Sequence, residues 1–129
     1  MSKDPLSDAL STIKNYEEIR KREAIVSPAS KLIADVLSVM KENDFIGDFK
    51  LIDDGKSGKF QIKLIGNIND CGVIKPRFSV KSDEYEKWEK RFLPAAGYGT
   101  IAVSTPEGVM SHDRAKEKGL GGRLLAFVY

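Results

Sequence analysis

The chain has 129 residues, 41% of them hydrophobic, which excludes a disordered protein and suffices for one compact domain or two small ones. Its single cysteine, Cys71, excludes an internal disulfide and a zinc site of several thiolates, and it is typical of a reducing compartment. The formal net charge is only +2, so any nucleic-acid function must depend on local clusters and shape.

Two amphipathic helices are predicted in the first third of the chain. Asp4-Pro5 is typical of a helix start, because Asp caps free N–H groups and Pro fits the first turn, and residues 27–31 begin the second helix. With no long apolar run here, we expect neither a signal peptide nor a membrane span. Helical spacing predicts buried stripes formed by Leu6, Ala9, Leu10, Ile13 and Tyr16, and by Leu32, Ile33, Val36, Leu37 and Met40.

Strands complete the predicted fold. Residues 1–66 follow the order helix–strand–helix–strand–strand, and a composition shift near Asn67 predicts a boundary between this N-terminal α/β subdomain and a mainly β subdomain, 67–129. The predicted class is therefore α+β, with two small subdomains. The predicted strands are 24–27, 45–54, 59–66, 71–80 (interrupted at Pro76), 100–105 and 123–129, and Ser111 caps a short helix that stops at Gly119.

Aromatic and basic residues alternate between residues 85 and 92. Tyr85, Trp88 and Phe92 stand among Lys87, Lys90 and Arg91. Such a run can stack on RNA bases, or it can pack its rings on the core from the edge of a strand or helix, and both interpretations stay open.

Catalytic motifs are incomplete. Ser104 and Ser111 precede the single histidine, His112, but no G-x-S-x-G turn accompanies them. We therefore expect His112 to be a solvated surface residue beside Asp113, and Cys71 to be a buried, inert thiol. No catalytic residue, cofactor or metal site is predicted; the alternative is a small hydrolase-like enzyme using Ser104 and His112.

The glycine cluster at 119–122 follows a helix and precedes a strand, which is the wrong order for a phosphate loop or a dinucleotide fingerprint. It indicates a helix end at Gly119 and a bend, or a close backbone approach at Gly121 and Gly122.

The segment from Ser104 to Gly108 ends a strand with two hydroxyls and a tight turn. Ser and Thr hydroxyls both donate and accept hydrogen bonds, and an RNA minor groove presents 2′-hydroxyls and base edges. The segment is therefore either an RNA-facing loop or a plain turn at a strand end.

Longer segments resemble one family. The end of the chain, STPEGVMSHDRAKEKGLGGRLLAFVY, resembles the C-terminal signature of the universal small-subunit ribosomal protein eight family. DPLSDALSTIKN resembles that family's opening, and SPASKLIADVLSVMKENDFIGDF resembles its second helix and following strand. The resemblance covers essentially the whole chain, and residues 67–98 look like the archaeal form.

The resemblance implies a non-enzymatic protein of the cytoplasmic ribosome. Such proteins bind the central domain of the small-subunit ribosomal RNA early in assembly, beside other small-subunit proteins, without a cofactor, a membrane or a small-molecule substrate. Pro106 stands where the family often has a further hydroxyl, which removes a hydroxyl and an N–H and stiffens the loop. The RNA contacts that the resemblance implies are Ser104, Thr105, Gly108 and Val109, more weakly Gly121 and Gly122, then Ser30 and Lys31, with Thr12, Lys14 and Asn15 as further candidates.

Overall fold

Helices and antiparallel sheets make up the structure, a computed structural model that describes residues 4–95 and 97–129. The predicted α+β class is confirmed. The elements are α1 Pro5–Glu18, β1 Glu23–Val26, α2 Lys31–Glu42, β2 Ile46–Ile52, β3 Lys59–Leu64, β4 Cys71–Val73, β5 Ser79–Val80, α3 Tyr85–Phe92, β6 Thr100–Thr105, β7 Gly108–Ser111, α4 His112–Lys118 and β8 Gly122–Val128.

Side-chain caps begin three of the helices, and those formed by Asp4 and Ser111 were predicted. The Asp4 carboxylate accepts from the N–H of Ser7 at 3.2 Å, and the Ser30 hydroxyl accepts from the N–H of Ile33 at 3.2 Å. Ser111 caps α4 in the same way. The predicted burial of Tyr16 is wrong: this side chain is 39% exposed, because the buried stripe of α1 ends one turn earlier, at Ile13.

The first sheet is three-stranded, in the order β1-β3-β2. Successive side chains along its strands point to opposite faces, so that Ala24 and Ile62 face the core while Ile25 and Gln61 lie on the outer face. Helices α1 and α2 pack on the inner face. A hairpin joins β2 to β3, with the Asp54 carboxylate accepting from the N–H groups of two turn residues.

The second sheet has five strands, in the order β4-β8-β6-β7, with β5 also paired to β8. Ala102 and Ala126 belong to a hydrophobic cluster shared with α1, α2 and the first sheet. Ile101 and Leu124 belong to a second cluster with side chains of α3 and α4. The sheet is therefore covered by helices on both faces, and β8 lies at its centre. The subdomain boundary near residue 67 stays a prediction, and residues 1–3 of the first predicted subdomain lie outside the described residues.

Two elements were not predicted. The run of aromatic and basic residues forms the helix α3, and Gly108–Ser111 forms the short strand β7 rather than a loop. Both elements are short. β7 follows a turn, and its strand character depends on its pairing with β6.

Candidate nucleic-acid interface

Thr105 holds the turn that connects β6 to β7. Its hydroxyl donates to the carbonyl oxygen of Gly108 at 2.7 Å and accepts from the N–H of Glu107 at 3.1 Å. Only 8% of this residue is exposed. Gly108 has φ +117°, a conformation that L side chains rarely adopt. Thr105 and Gly108 therefore fix the shape of the loop, and the Thr105 hydroxyl is already used inside it.

Ser104 is the hydroxyl that this loop leaves open. Its side chain is exposed and has no hydrogen-bond partner within residues 4–95 and 97–129. In the sheet register Ser104 lies opposite Val109 on β7 and opposite Arg123 on β8, and Arg123 lies opposite Ser79 on β5. Cross-strand partners share a face of the sheet. Four side chains thus form a row across four strands: Val109, Ser104, Arg123 and Ser79.

Arg123 is a candidate that the sequence did not predict. It is exposed, and it forms no ion pair in the part of the chain that the structure describes. Its position beside Ser104 depends on the pairing of β6 with β8, which no local pattern gives. The row therefore combines hydroxyls with a free guanidinium, a group that suits phosphate oxygens.

Gly121 and Gly122 allow β8 to enter between its neighbours. A Cβ on Gly121 would lie 2.5 Å from the carbonyl oxygen of Val80, and one on Gly122 would lie 2.2 Å from that of Ser104. The predicted close backbone approach is confirmed, and the approaching backbone is that of the chain itself. Gly119 ends α4 with φ +67°, also as predicted.

The second candidate region is the start of α2. Ser30 uses its hydroxyl to cap this helix, and Lys31 is exposed, 3.4 Å from the carboxylate of Asp35. Ser30 lines an open depression together with Lys75 and Arg77. A hydrogen bond from Lys75 at 2.9 Å lowers the pKa of the Asp4 carboxyl at the same place. This depression combines two helix starts with two basic side chains.

The first-helix candidates lie elsewhere. Thr12 donates to the backbone oxygen of Asp8, and Lys14 pairs with Asp70 at 2.9 Å, an interaction that raises the pKa of Lys14. Asp70 exchanges backbone hydrogen bonds with Tyr129, which follows the last residue of β8. Arg123 lies at the other end of this strand, near its start. Thr12, Lys14 and Asn15 are therefore not brought to the β6–β7 turn.

The aromatic run packs on the core. The Tyr85 hydroxyl donates to the Leu120 carbonyl at 2.9 Å, and buried Trp88 stacks on Phe78 with ring centroids 4.4 Å apart. The Arg91 guanidinium lies 5.4 Å from the Trp88 ring centroid. The packing interpretation is therefore confirmed for Tyr85 and Trp88.

His112 is buried, so its predicted placement on the surface is wrong. The residue is 2% exposed; its Nδ1 accepts from the N–H of Ile101 at 3.0 Å, and its Nε2 lies 3.0 Å from Oε1 of Glu89. Burial lowers the pKa of His112, against the opposing effect of the Asp113 and Glu89 carboxylates. The first turn of α4 faces α3, which a sequence pattern does not reveal.

These contacts leave no support for the hydrolase alternative. An Nδ1 that accepts a hydrogen bond places the proton of the neutral ring on Nε2, where it is donated to Glu89. Both ring nitrogens are therefore occupied by partners other than Ser104. Cys71 is buried as predicted, and burial raises its pKa to about 12, as expected for an inert thiol.

His112 also belongs to a group of three side chains that could hold a metal ion. Ligand atoms of Glu89, His112 and Asp113 lie within 4.8 Å of one another. The Nε2–H of His112 and the ammonium of Lys116 both donate to the Glu89 carboxylate. The atoms that would bind a metal most strongly therefore already form hydrogen bonds. The expectation of no metal therefore stays a prediction that this arrangement favours.

Within the described residues no helix is long and apolar enough to span a bilayer. A family model described as Ribosomal protein S8 matches residues 4–129.

Proposed function

Because the chain belongs to the ribosomal protein S8 family, whose members are small-subunit ribosomal proteins that bind ribosomal RNA, we propose that it binds the central domain of that RNA directly. It binds during assembly, stabilises the RNA helices, and neighbours other small-subunit proteins on the cytoplasmic ribosome. It is a structural protein without catalytic activity, cofactor or small-molecule substrate. Its archaeal type stays a prediction.

The observation that carries the proposal is the exposed Ser104 hydroxyl beside the free Arg123 guanidinium, on a turn that Thr105 fixes. A short hydroxyl can donate to and accept from 2′-hydroxyls and base edges in the shallow RNA minor groove. The adjacent Arg123 guanidinium reaches a phosphate oxygen of the RNA strand that borders this groove. Since the turn is already ordered, little conformational entropy is lost on binding.

The remaining predicted contacts take supporting roles in this proposal. Gly108 and Val109 continue the RNA-facing surface at the start of β7. Gly122 lets β8 lie close to β6, which places Arg123 beside Ser104, and Gly121 lets the chain pass close to β5. At the start of α2, Ser30 and Lys31 lie near a depression with two basic side chains. Thr12, Lys14 and Asn15 stay candidates for a separate contact.

Pro106 and Glu107 make the loop stiffer without making it more basic. Pro106 supplies neither a hydroxyl nor an N–H, and the Glu107 carboxylate lies 3.3 Å from the Lys118 ammonium. That pair reduces the repulsion that an unpaired carboxylate would exert on RNA phosphates. The Glu107 charge is thus compatible with an RNA-facing loop.

A gel-shift titration tests the proposal. Wild-type protein is titrated against a central-domain fragment of cognate small-subunit ribosomal RNA and against a fragment of equal length from another domain. We expect at least tenfold tighter binding to the central-domain fragment, and co-sedimentation of the protein with small subunits in a sucrose gradient. Equal affinity for both fragments would contradict the assignment to the central domain.

A further inference from the structure

Five aromatic side chains stack in one row along α3 and β8. Phe78 stacks on Trp88, and Trp88 stacks on Phe92, with ring centroids 4.4 and 6.2 Å apart. Phe92 stacks on Phe127, and Phe127 on Tyr129, at 5.9 and 6.1 Å. Trp88 is 7% exposed, whereas the other four rings are only partly buried. We call these five residues the aromatic ladder.

Two cations lie against the aromatic ladder. The Arg91 guanidinium is between 5.2 and 5.5 Å from the ring centroids of Phe78, Trp88 and Phe92. The Lys87 ammonium is 5.0 Å from the centroid of the Trp88 ring. Neither cation forms an ion pair within residues 4–95 and 97–129. Attraction to the rings accounts for where the two side chains lie, but it leaves the N–H groups at the edge of the guanidinium free to donate.

The carboxylates of α3 do not neutralise these cations. The Glu86 carboxylate lies 3.8 Å from the Lys90 ammonium, and the Glu89 carboxylate accepts from His112 and Lys116. The aromatic ladder therefore presents partly exposed apolar rings beside a local excess of positive charge.

The aromatic ladder and the Ser104–Arg123 pair lie on opposite faces of the second sheet. Successive side chains of a strand point to opposite faces. Leu124 follows Arg123, Val103 precedes Ser104, and both belong to the hydrophobic cluster on which Phe127 packs. RNA that binds Ser104 and Arg123 on one face therefore leaves the aromatic ladder on the other face uncovered.

The chemistry of the aromatic ladder favours a protein segment over a nucleic acid. Single-stranded RNA stacks its bases on open ring faces. The faces of Trp88 and Phe92 already meet neighbouring rings and Arg91, so they offer no free platform for a base. Aromatic side chains with Arg are typical of protein–protein interfaces, where aliphatic side chains pack on the rings. Carboxylates of the same segment can accept from the Arg91 guanidinium and the Lys87 ammonium.

We propose that the aromatic ladder binds a segment of another small-subunit protein in which aliphatic side chains are flanked by Asp or Glu. This inference rests on the place in the small subunit proposed above. The chain then holds RNA with one face of its second sheet and a protein neighbour with the other.

Charge reversal at Lys87 tests the proposal, with Lys90→Glu as the matched control. Both substitutions change the net charge equally on the same helix, but only Lys87 lies over a ring of the aromatic ladder. Subunits are reconstituted from purified ribosomal RNA and total small-subunit proteins depleted of this chain, with wild type and variant in competition. Lys87→Glu should enter about tenfold less than the wild type, because its carboxylate repels those of the segment. Lys90→Glu should enter as the wild type does, and both variants should bind the central-domain fragment equally.

Hydroxyl-radical oxidation of the wild-type protein identifies the class of partner without any substitution. Phe92, Phe127 and Tyr129 should be oxidised equally in the free protein and in its complex with full-length small-subunit ribosomal RNA. They should lose most of this oxidation once the small-subunit proteins are added. Protection by RNA alone would assign the aromatic ladder to RNA, and unchanged oxidation in assembled subunits would show that nothing covers it; either result overturns the inference.

The incorporation experiment also separates this inference from the function on which it rests. Equal incorporation of Lys87→Glu and wild type, with the wild type entering subunits normally, overturns the inference and leaves the proposed function intact. Failure of the wild type itself to enter subunits contradicts both.

Discussion

The β6–β7 turn and the surroundings of His112 are adjacent along the chain but use polar groups in opposite ways. At the turn, Ser104 and Arg123 are exposed and have no partner within the described residues. Around His112, the ring is buried and both of its nitrogens are hydrogen-bonded. Buried polar groups need partners to avoid a desolvation cost, so they contribute to stability, whereas exposed free groups remain available to a ligand.

The largest expected effect follows from removing the buried ring. His112→Ala leaves the N–H of Ile101 and the carboxylate of Glu89 without this partner and opens a cavity, so the free energy of unfolding should fall by about 3 kcal/mol. Urea denaturation followed by Trp88 fluorescence measures it. Asp113→Ala, at an exposed neighbour, should change it by less than about 0.5 kcal/mol. Equal effects of the two substitutions would show that His112 has no special structural role.

The same histidine should make stability depend on pH. Its pKa is lowered in the folded state, so the unfolded state binds the proton first. The stabilisation is complete above the ordinary pKa of about 6.5 and is lost progressively as pH falls below it. His112→Gln, which removes the only histidine, should flatten the unfolding free energy between pH 7.5 and 5.

A smaller effect is expected inside the turn. Thr105→Val removes two hydrogen bonds that shape the loop, to Gly108 and from Glu107, and should lower both the unfolding free energy, by about 1–2 kcal/mol, and the affinity for RNA. Thr105→Ser keeps the hydroxyl and should retain most of both. If Thr105→Val weakened RNA binding with no loss of stability, Thr105 would be a direct contact rather than a residue that fixes the turn.

The effect expected at Arg123 is confined to RNA binding. Arg123→Gln should weaken RNA binding by about 1 kcal/mol and reduce the salt slope by about one, with stability unchanged. Arg114→Gln is the matched control, since this exposed arginine pairs with Glu42 at 3.7 Å and lies on α4. A filter-binding series between 50 and 200 mM salt compares them. Identical slopes for the two variants would exclude a phosphate contact at Arg123.

Local signals predicted much of the fold, but long-range pairing decided the rest. Asp4, Ser30, Ser111 and Gly119 begin or end helices through bonds to residues only a few positions away, so their roles could be predicted. The burial of His112 depends on Glu89 in another helix, 23 positions earlier, and no periodicity in the short α4 reveals it.

The same contrast between local signals and long-range pairing applies to the candidate site. The turn and its hydroxyls were visible in the sequence, but the different roles of Ser104 and Thr105 were not, because they depend on which hydroxyl faces back into the turn. Arg123 reaches Ser104 only through the register of β6 with β8. The RNA contacts proposed for Ser104 and Arg123 stay predictions.

Ser104→Ala tests the central claim most directly. The account predicts an unfolding free energy within about 0.5 kcal/mol of the wild type, and an affinity for the central-domain fragment that is roughly fivefold lower, as expected for one lost hydrogen bond. Ser57→Ala, in the exposed hairpin turn, should bind as the wild type does. A Ser104→Ala protein that binds this fragment with wild-type affinity would contradict the assignment of the RNA-facing surface to the β6–β7 turn.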